Sequence, residues 1–340
     1  LAMTARPARR ARAAVAAGAL TLALALTGCA AEPPAPNPDP QASGPVLTED
    51  QDTHVLGEVN AVLQAASESN DPAQLEPRLT GPALTIRKSQ LEVAKERGNA
   101  DLVTDIPGEY QQLIVPTNDT WPRTSFAITV QTEELQTPRL LALDQASPRE
   151  PYKLWGWVQL ASGITMPAFA DAELGSENLA ADDDSLLLSP QDAVNQYADV
   201  LTTGRGSAFK GTFEDDAFRQ LLGNFAQTQK ETLDQPNVDG TYTIKVTPTE
   251  GQDIKAVRTA DGGAMVMAAL TVTETMTAVE GAKLTPPTRS GKALLGDEEP
   301  TNKLVDGYSD MVALYVPPKD ADAQVKLLGY SHIQTSVSTE

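Results

Sequence analysis

Only one cysteine, Cys29, occurs in the 340 residues. No disulfide can form within the chain, so its stability must come from ordinary apolar cores. Histidine is almost as scarce, at His54 and His332. No Gly-x-Ser-x-Gly elbow, His-Glu-x-x-His pair, phosphate-cradling glycine loop or paired-cysteine site is present. These gaps argue against an enzyme and lead us to expect neither a cofactor nor a metal. Positive charge is also short, with 26 Lys and Arg against 46 Asp and Glu and a net charge of −20. Such a chain repels nucleic acid and anionic lipid alike. No apolar run reaches the roughly 20 residues of a membrane-spanning helix.

The N-terminal end carries the sharpest pattern. Arg6, Arg9, Arg10 and Arg12 precede an uncharged apolar run from Ala13 to Leu26, the order of parts in a signal peptide. The run closes on Leu26-Thr27-Gly28-Cys29, which resembles the lipobox of bacterial lipoproteins. In that motif small residues admit the signal peptidase and the cysteine thiol receives a diacylglycerol. The resemblance implies cleavage after residue 28, lipid on Cys29, and a protein held on the extracytoplasmic face of the cell membrane by two-chain anchoring. Removing residues 1–28 deletes four arginines and no acid, taking the net charge from −20 to −24. Residues 29–46, with Pro33, Pro34, Pro36, Pro38 and Pro40, read as an extended tether.

Beyond it the hydrophobic period alternates between helix and strand. Thr48 and Gln51 form a capping-box pattern ahead of Val55, Leu56, Val59, Val62 and Leu63, one buried helix face. A second helix is expected from Pro82 to Arg97, stopped by Gly98. Period two follows at Phe126, Ile128 and Val130, then two strands at Arg139 to Leu143 and Tyr152 to Leu160. The order restarts at Ser189-Pro190, a cap with proline at the first helical position. It continues through a helix at Ala217 to Phe225 and strands at Thr241 to Val246, Ile254 to Arg258 and Met265 to Met276. Lys153-Leu154-Trp155-Gly156-Trp157 and Lys326-Leu327-Leu328-Gly329-Tyr330 share one pattern at an offset of 173, whereas the opening helices align at 141. The second copy therefore carries about 32 extra residues, assigned mainly to an inserted loop near 278–303. The expected organisation is a first α+β domain at 47–170, an acidic linker at 171–187 and a second α+β domain at 188–340.

Two helices followed by a bent antiparallel sheet resembles the nuclear transport factor 2-like cone fold, and a cystatin-like helix-on-sheet domain fits almost as well. The whole chain resembles uncharacterised actinobacterial lipoproteins built on such domains. The fold class expected is α+β, with two tandem cone-like domains.

Few residues suggest chemistry. His54 lies beside Asp50 and Asp52 on what reads as a solvated helix face. His332 alternates with Leu328 and Tyr330 on the last strand and is first of all a structural histidine. A catalytic reading requires it to face a cavity beside a carboxylate. Asp182, Asp183 and Asp184 lack the spacing and glycine bend of a calcium loop. Trp121 with Arg123, and Trp155 with Trp157, are either core or the wall of a ligand pocket. The sequence thus points to a non-catalytic, membrane-anchored lipoprotein that binds or organises an envelope protein. The alternative is a receptor for a small apolar, glycan or peptide ligand.

Overall fold

The computed structural model describes residues 44–131, 137–235 and 238–339. Cys29, with Leu26, Thr27 and Gly28 before it, and the tether through residue 43 lie outside the described residues.

Helix α1 (Glu49–Ser69) opens on a reciprocal cap: the Gln51 amide donates to Thr48 Oγ1 at 3.2 Å, and the Thr48 amide to Gln51 Oε1 at 2.9 Å. These bonds satisfy two of the amides that every helix start leaves unpaired. Helix α2 (Gly81–Arg97) ends at Gly98, which takes the left-handed conformation at φ 67°. Four strands follow: β1 (Tyr110–Ile114), β2 (Arg123–Thr129), β3 (Arg139–Gln145) and β4 (Lys153–Leu160). Residues 171–187 contribute β5 (Asn178–Leu179). The second half then builds α3 (Pro190–Thr203) and α4 (Ala217–Leu233), capped by Ser189 and Asp216. Strands β6 (Thr241–Pro248), β7 (Lys255–Arg258) and β8 (Ala264–Thr277) come next, then a short α5 (Arg289–Leu295) inside the expected insertion, and finally β9 (Lys303–Val316) and β10 (Lys326–Thr339). The protein is thus a mixed α+β fold of five helices and ten strands among the described residues.

All ten strands belong to one sheet, in the order β1-β2-β3-β4-β10-β9-β8-β7-β5, with β6 also paired to β8. The halves join where β4 meets β10 antiparallel, Leu160 opposite Gly329 and Gln159 opposite Tyr330. The sheet curls until its ends meet: Ser176 N donates to Val115 O at 2.8 Å and Thr117 N to Ser176 O at 3.1 Å. Asn178 seals the junction through both backbone groups of Thr124 at 3.0 Å. Exposed strand edges invite pairing with other chains, and this clasp covers the sheet's ends.

The cores explain why the halves form one compact unit. Met265, Met267 and Ala269 on β8, Met311 and Ala313 on β9, and Leu328 on β10 belong to the core that also holds Leu56, Phe126, Leu141 and Trp157 of the first half. Their alternate neighbours Val266, Ala268, Leu270, Val312 and Leu314 belong to a second core under α3 and α4. Successive strand residues face opposite sides. The uninterrupted run Ala264 to Leu270 is therefore a strand buried on both faces, not the half-exposed strand of an isolated domain.

The two closing hairpins match in detail. Ala142 stands opposite Gly156, and Ala313 opposite Gly329; in each ladder the register then slips, with Trp155 and Leu328 as the bulged residues. This gives the Lys-Leu-x-Gly-aromatic pattern its local meaning: x is a bulge and glycine sits across from alanine. The register also refines the offsets. Phe126 and Met267, which face those two alanines from β2 and β8, are 141 apart, as in the opening helices. Ala142 and Ala313 are 171 apart, and only the last strands reach 173. Of the 32-residue difference, 30 fall between Met267 of β8 and Ala313 of β9, and two in the turn before β10. The difference is shared between the strands, 14 residues each in β8 and β9 against seven in β2 and β3, and the 278–303 segment.

Candidate functional site

The long strands β8, β9 and β10 carry an unusual set of buried polar groups. Asp306, Tyr308 and Asp310 alternate along β9 and so share one face. Register places Glu274 of β8 opposite Asp306, and Gln334 and His332 of β10 opposite Tyr308 and Asp310. Glu274, Asp306 and Asp310 are fully buried. Tyr242 Oη donates to Glu274 Oε1 at 2.7 Å, and Gln334 Nε2 to Asp306 Oδ1 at 2.6 Å. Glu274 Oε2 and Asp306 Oδ2 have no hydrogen-bond partner, an expensive state for a carboxylate out of water.

Burial therefore favours the neutral acids. It pushes Glu274 up to about 7, against the opposing hydrogen bond of Tyr242 and the charge of His332. Asp306 rises to about 6 for the same reason, less the help of Gln334.

His332 is held from every side. Its Nδ1–H donates to both oxygens of Asp310 at 2.9 Å. Tyr308 stacks on its ring at 4.2 Å, and Phe218 of α4 packs at 5.7 Å. Burial lowers the basicity of the imidazole, but the charge and hydrogen bond of Asp310 and the charge of Glu274 outweigh it, leaving the ring above its ordinary value. Burial pushes Asp310 up as well, against the pull of His332. The bond to Asp310 fixes the ring orientation and turns Nε2 away from the carboxylate.

The 18% of the His332 side chain that stays exposed opens on a cavity of about 560 Å³ at the seam of the halves. Register lays out its floor: Arg139 stands opposite Gln159, Gln159 opposite Tyr330, and His332 lies two residues further along β10. Cross-strand partners share a face, so these four side chains form one strip. Apolar wall is supplied by Leu160, Ile164, Leu221 and Ile333. The charged groups on the far wall are engaged with one another, except that Asp216 Oδ2 is buried without a hydrogen-bond partner. Lys326 pairs with Glu214 at 3.2 Å, Arg219 with Asp215 at 3.2 Å, and Asp216 Oδ1 accepts the Arg219 amide at 2.9 Å as the cap of α4.

The other residues singled out from the sequence are not gathered here. Trp155 and Trp157 are buried in the first core and pack along α2, Trp157 beneath Arg87. Trp121 stays 36% exposed, with the Arg123 guanidinium 3.8 Å above its ring and its Nε1 bonded to Gln145 Oε1 at 2.9 Å. That aromatic and cation partner each other on the surface. His54 is exposed, as expected, but Asp52 is not: it is fully buried, accepts from Ser125 Oγ at 2.5 Å, and is pushed up to about 6 by burial. Asp52 falls in register with Leu56, Val59 and Leu63, so the apolar stripe itself marked the position. Asp183 accepts from Ser185 and pairs with Arg258 at 3.4 Å. Among the described residues no group of three or more His, Cys, Asp or Glu side chains is arranged to hold a metal ion.

Comparison with known proteins gives a family and a relative. The family model described as "Domain of unknown function (DUF8094)" matches residues 43–338. A protein of Streptomyces avermitilis described as "Uncharacterized lipoprotein" is 25% identical over 288 residues, covering 84% of this chain and 83% of its own. No solved structure matches.

Proposed function

The chain belongs to the DUF8094 family, and we propose that it is a lipoprotein carried on the extracytoplasmic face of the cell membrane by a lipid on Cys29, with a folded part that binds a small molecule. The anchor rests on the resemblance of Leu26-Thr27-Gly28-Cys29 to a lipobox and on the description of the Streptomyces relative as a lipoprotein. No helix among the described residues is long and apolar enough to cross a membrane. The single observation that carries the binding role is the seam cavity, whose floor presents Arg139, Gln159, Tyr330 and His332 together. Pockets of a few hundred Å³ with converging polar groups in an apolar wall are the ordinary form of a ligand site. This favours the receptor reading over envelope scaffolding.

We read the halves as two copies of one helix-helix-meander design of the nuclear transport factor 2-like kind. The common offset of 141 and the matching bulges at Trp155 and Leu328 support that reading.

Native mass spectrometry of the full chain, released gently from cell membranes, tests the binding role. The expected result is a stoichiometric extra mass that is lost on denaturation and absent from a cavity-filling Ala161→Trp variant. An extra mass that survives this substitution, or none in any preparation, returns the protein to the scaffolding reading. For the anchor, Cys29→Ala is expected to move the protein from the membrane fraction to the soluble one.

A further inference from the structure

We infer that the ligand of the seam cavity is a small carboxylate, gripped by Arg139 at one end of the floor and touched by His332 at the other; this deepens the binding reading and rests on it. Arg139 is the reason for the charge. Its Nε gives one long bond to Asp105 O at 3.4 Å, and no carboxylate lies within ion-pair distance of it among the described residues. Burial holds its guanidinium below the ordinary value, with Asp105 only partly offsetting the loss. A desolvated guanidinium with free N–H groups is the side chain best suited to take a carboxylate through two parallel bonds.

The other charges of the wall make no such demand. Lys326 and Glu214 neutralise each other, as do Arg219 and Asp215; Asp216 caps α4 through Oδ1, its buried Oδ2 has no hydrogen-bond partner, and burial pushes its carboxyl up, which lessens its negative charge.

The far end of the floor sets the second contact. Neither the Gln159 amide, the Tyr330 hydroxyl nor His332 Nε2 has a hydrogen-bond partner among the described residues, whereas Nδ1 is committed to Asp310. Arg139 and His332 are separated by two strand spacings and two residues along β10, roughly 12 Å between Cα atoms. Their side chains shorten that gap, so a molecule of about eight carbons or one sugar ring spans it. Either a fatty acid lying against Leu160, Leu221 and Ile333, or a sugar acid using Gln159 and Tyr330, carries the required group.

The test is isothermal titration of the full chain in phospholipid nanodiscs with octanoate and glucuronate, each against its uncharged partner, octanol and glucose. At least one carboxylate is expected to bind about tenfold or more tightly than its partner. Arg139→Gln should erase that preference and Arg139→Lys keep part of it, while His332→Gln weakens binding several-fold. A preference for octanoate assigns a lipid-derived ligand, and one for glucuronate a sugar acid. If an uncharged partner binds as well as its acid, or the preference survives Arg139→Gln, the carboxylate inference fails while the binding role stands. If none of the four binds in a way these variants alter, both fall.

Discussion

Lys255 of β7 donates to Asp144 Oδ1 of β3 at 2.8 Å, although four strands separate them in the order of the sheet. The lysine is 4% exposed and the aspartate side chain 12%. Trp155 lies under the ammonium at 5.5 Å, and Thr124 Oγ1 donates to the same carboxylate oxygen at 2.9 Å. The pair fastens the second half to the first where the sheet closes on itself. Asp144→Ala leaves the buried ammonium only the exposed carboxylate of Asp253 at 3.6 Å and is expected to cost about 3 kcal/mol. The apolar pair Asp144→Leu with Lys255→Met should cost much less, since a buried ion pair spends most of its attraction on desolvation. Urea unfolding of the three proteins checks the order; equal losses would mean that geometry, not the stranded charge, sets the cost.

Glu274 makes the fold sensitive to pH. Its carboxyl titrates at 4.5 ordinarily and at about 7 when buried, so the folded protein keeps this proton where the unfolded chain has lost it. The stabilisation is complete below pH 4.5 and is lost as pH rises through 7. Glu274→Gln, which stays neutral and can still accept from Tyr242, should remove on the order of 3 kcal/mol from the fall in stability between pH 4.5 and 8. Thermal unfolding at both pH values reads this directly, and parallel curves for parent and variant would contradict it.

The two glycines of the repeated pattern are expected to differ in cost. At Gly329 an added Cβ would meet the carbonyl oxygen of Gln159 at 2.5 Å, rigid backbone on the seam between β4 and β10. At Gly156 it would meet the end of the Met311 side chain, which can turn aside. Gly329→Ala should therefore destabilise by about 2 kcal/mol or more and Gly156→Ala by about 1 kcal/mol. Adding Met311→Ala should lessen the clash term for Gly156→Ala alone, which a double-mutant cycle measures.

Trp157 and Trp121 separate core from surface. Truncating the fully buried Trp157 to alanine should cost about 3–5 kcal/mol. Trp121→Ala removes one exposed stacking contact with Arg123 and should cost about 1 kcal/mol or less. Because Trp121 is not among the residues lining the cavity, its loss should leave ligand binding unchanged; a change would relocate the site.

Helix starts, helix stops and most strands could be read from the residues because they rest on local chemistry: the Thr48–Gln51 cap, Pro190 behind Ser189, Gly98 after Arg97. The shared five-residue pattern was legible for the same reason, and in both hairpins it coincides with a bulge, at Trp155 and at Leu328. What escaped was set by contacts across the chain. The run Ala264 to Leu270 signalled burial on both faces, but only its partners show that the second face belongs to the first half. The acid cluster was hidden because Glu274, Asp306 and Asp310 sit in β8 and β9, strands of 14 residues against the seven of β2 and β3. Each reads as an ordinary polar residue in an alternating strand until register sets them side by side. His332 was visible, but neither Asp310 beside it nor the cavity beyond could be inferred from spacing. Arg139 was read only as the start of a strand.

The position of β10 has a kinetic meaning. Residues 326–339 are the last described stretch of the chain, yet they lie mid-sheet between β4 and β9, some 170 residues from the strand they join. Contacts this distant in sequence must await loop closure and slow the search for the native state. The β1–β4 meander can form early from local pairings, but one side of β4 stays open until the C-terminal strand arrives. Until then an unpaired central edge is offered to any neighbouring chain. The protein is therefore most prone to misassembly just before its final fourteen-residue strand has docked, and truncations within β10 should favour aggregates over partly folded monomers.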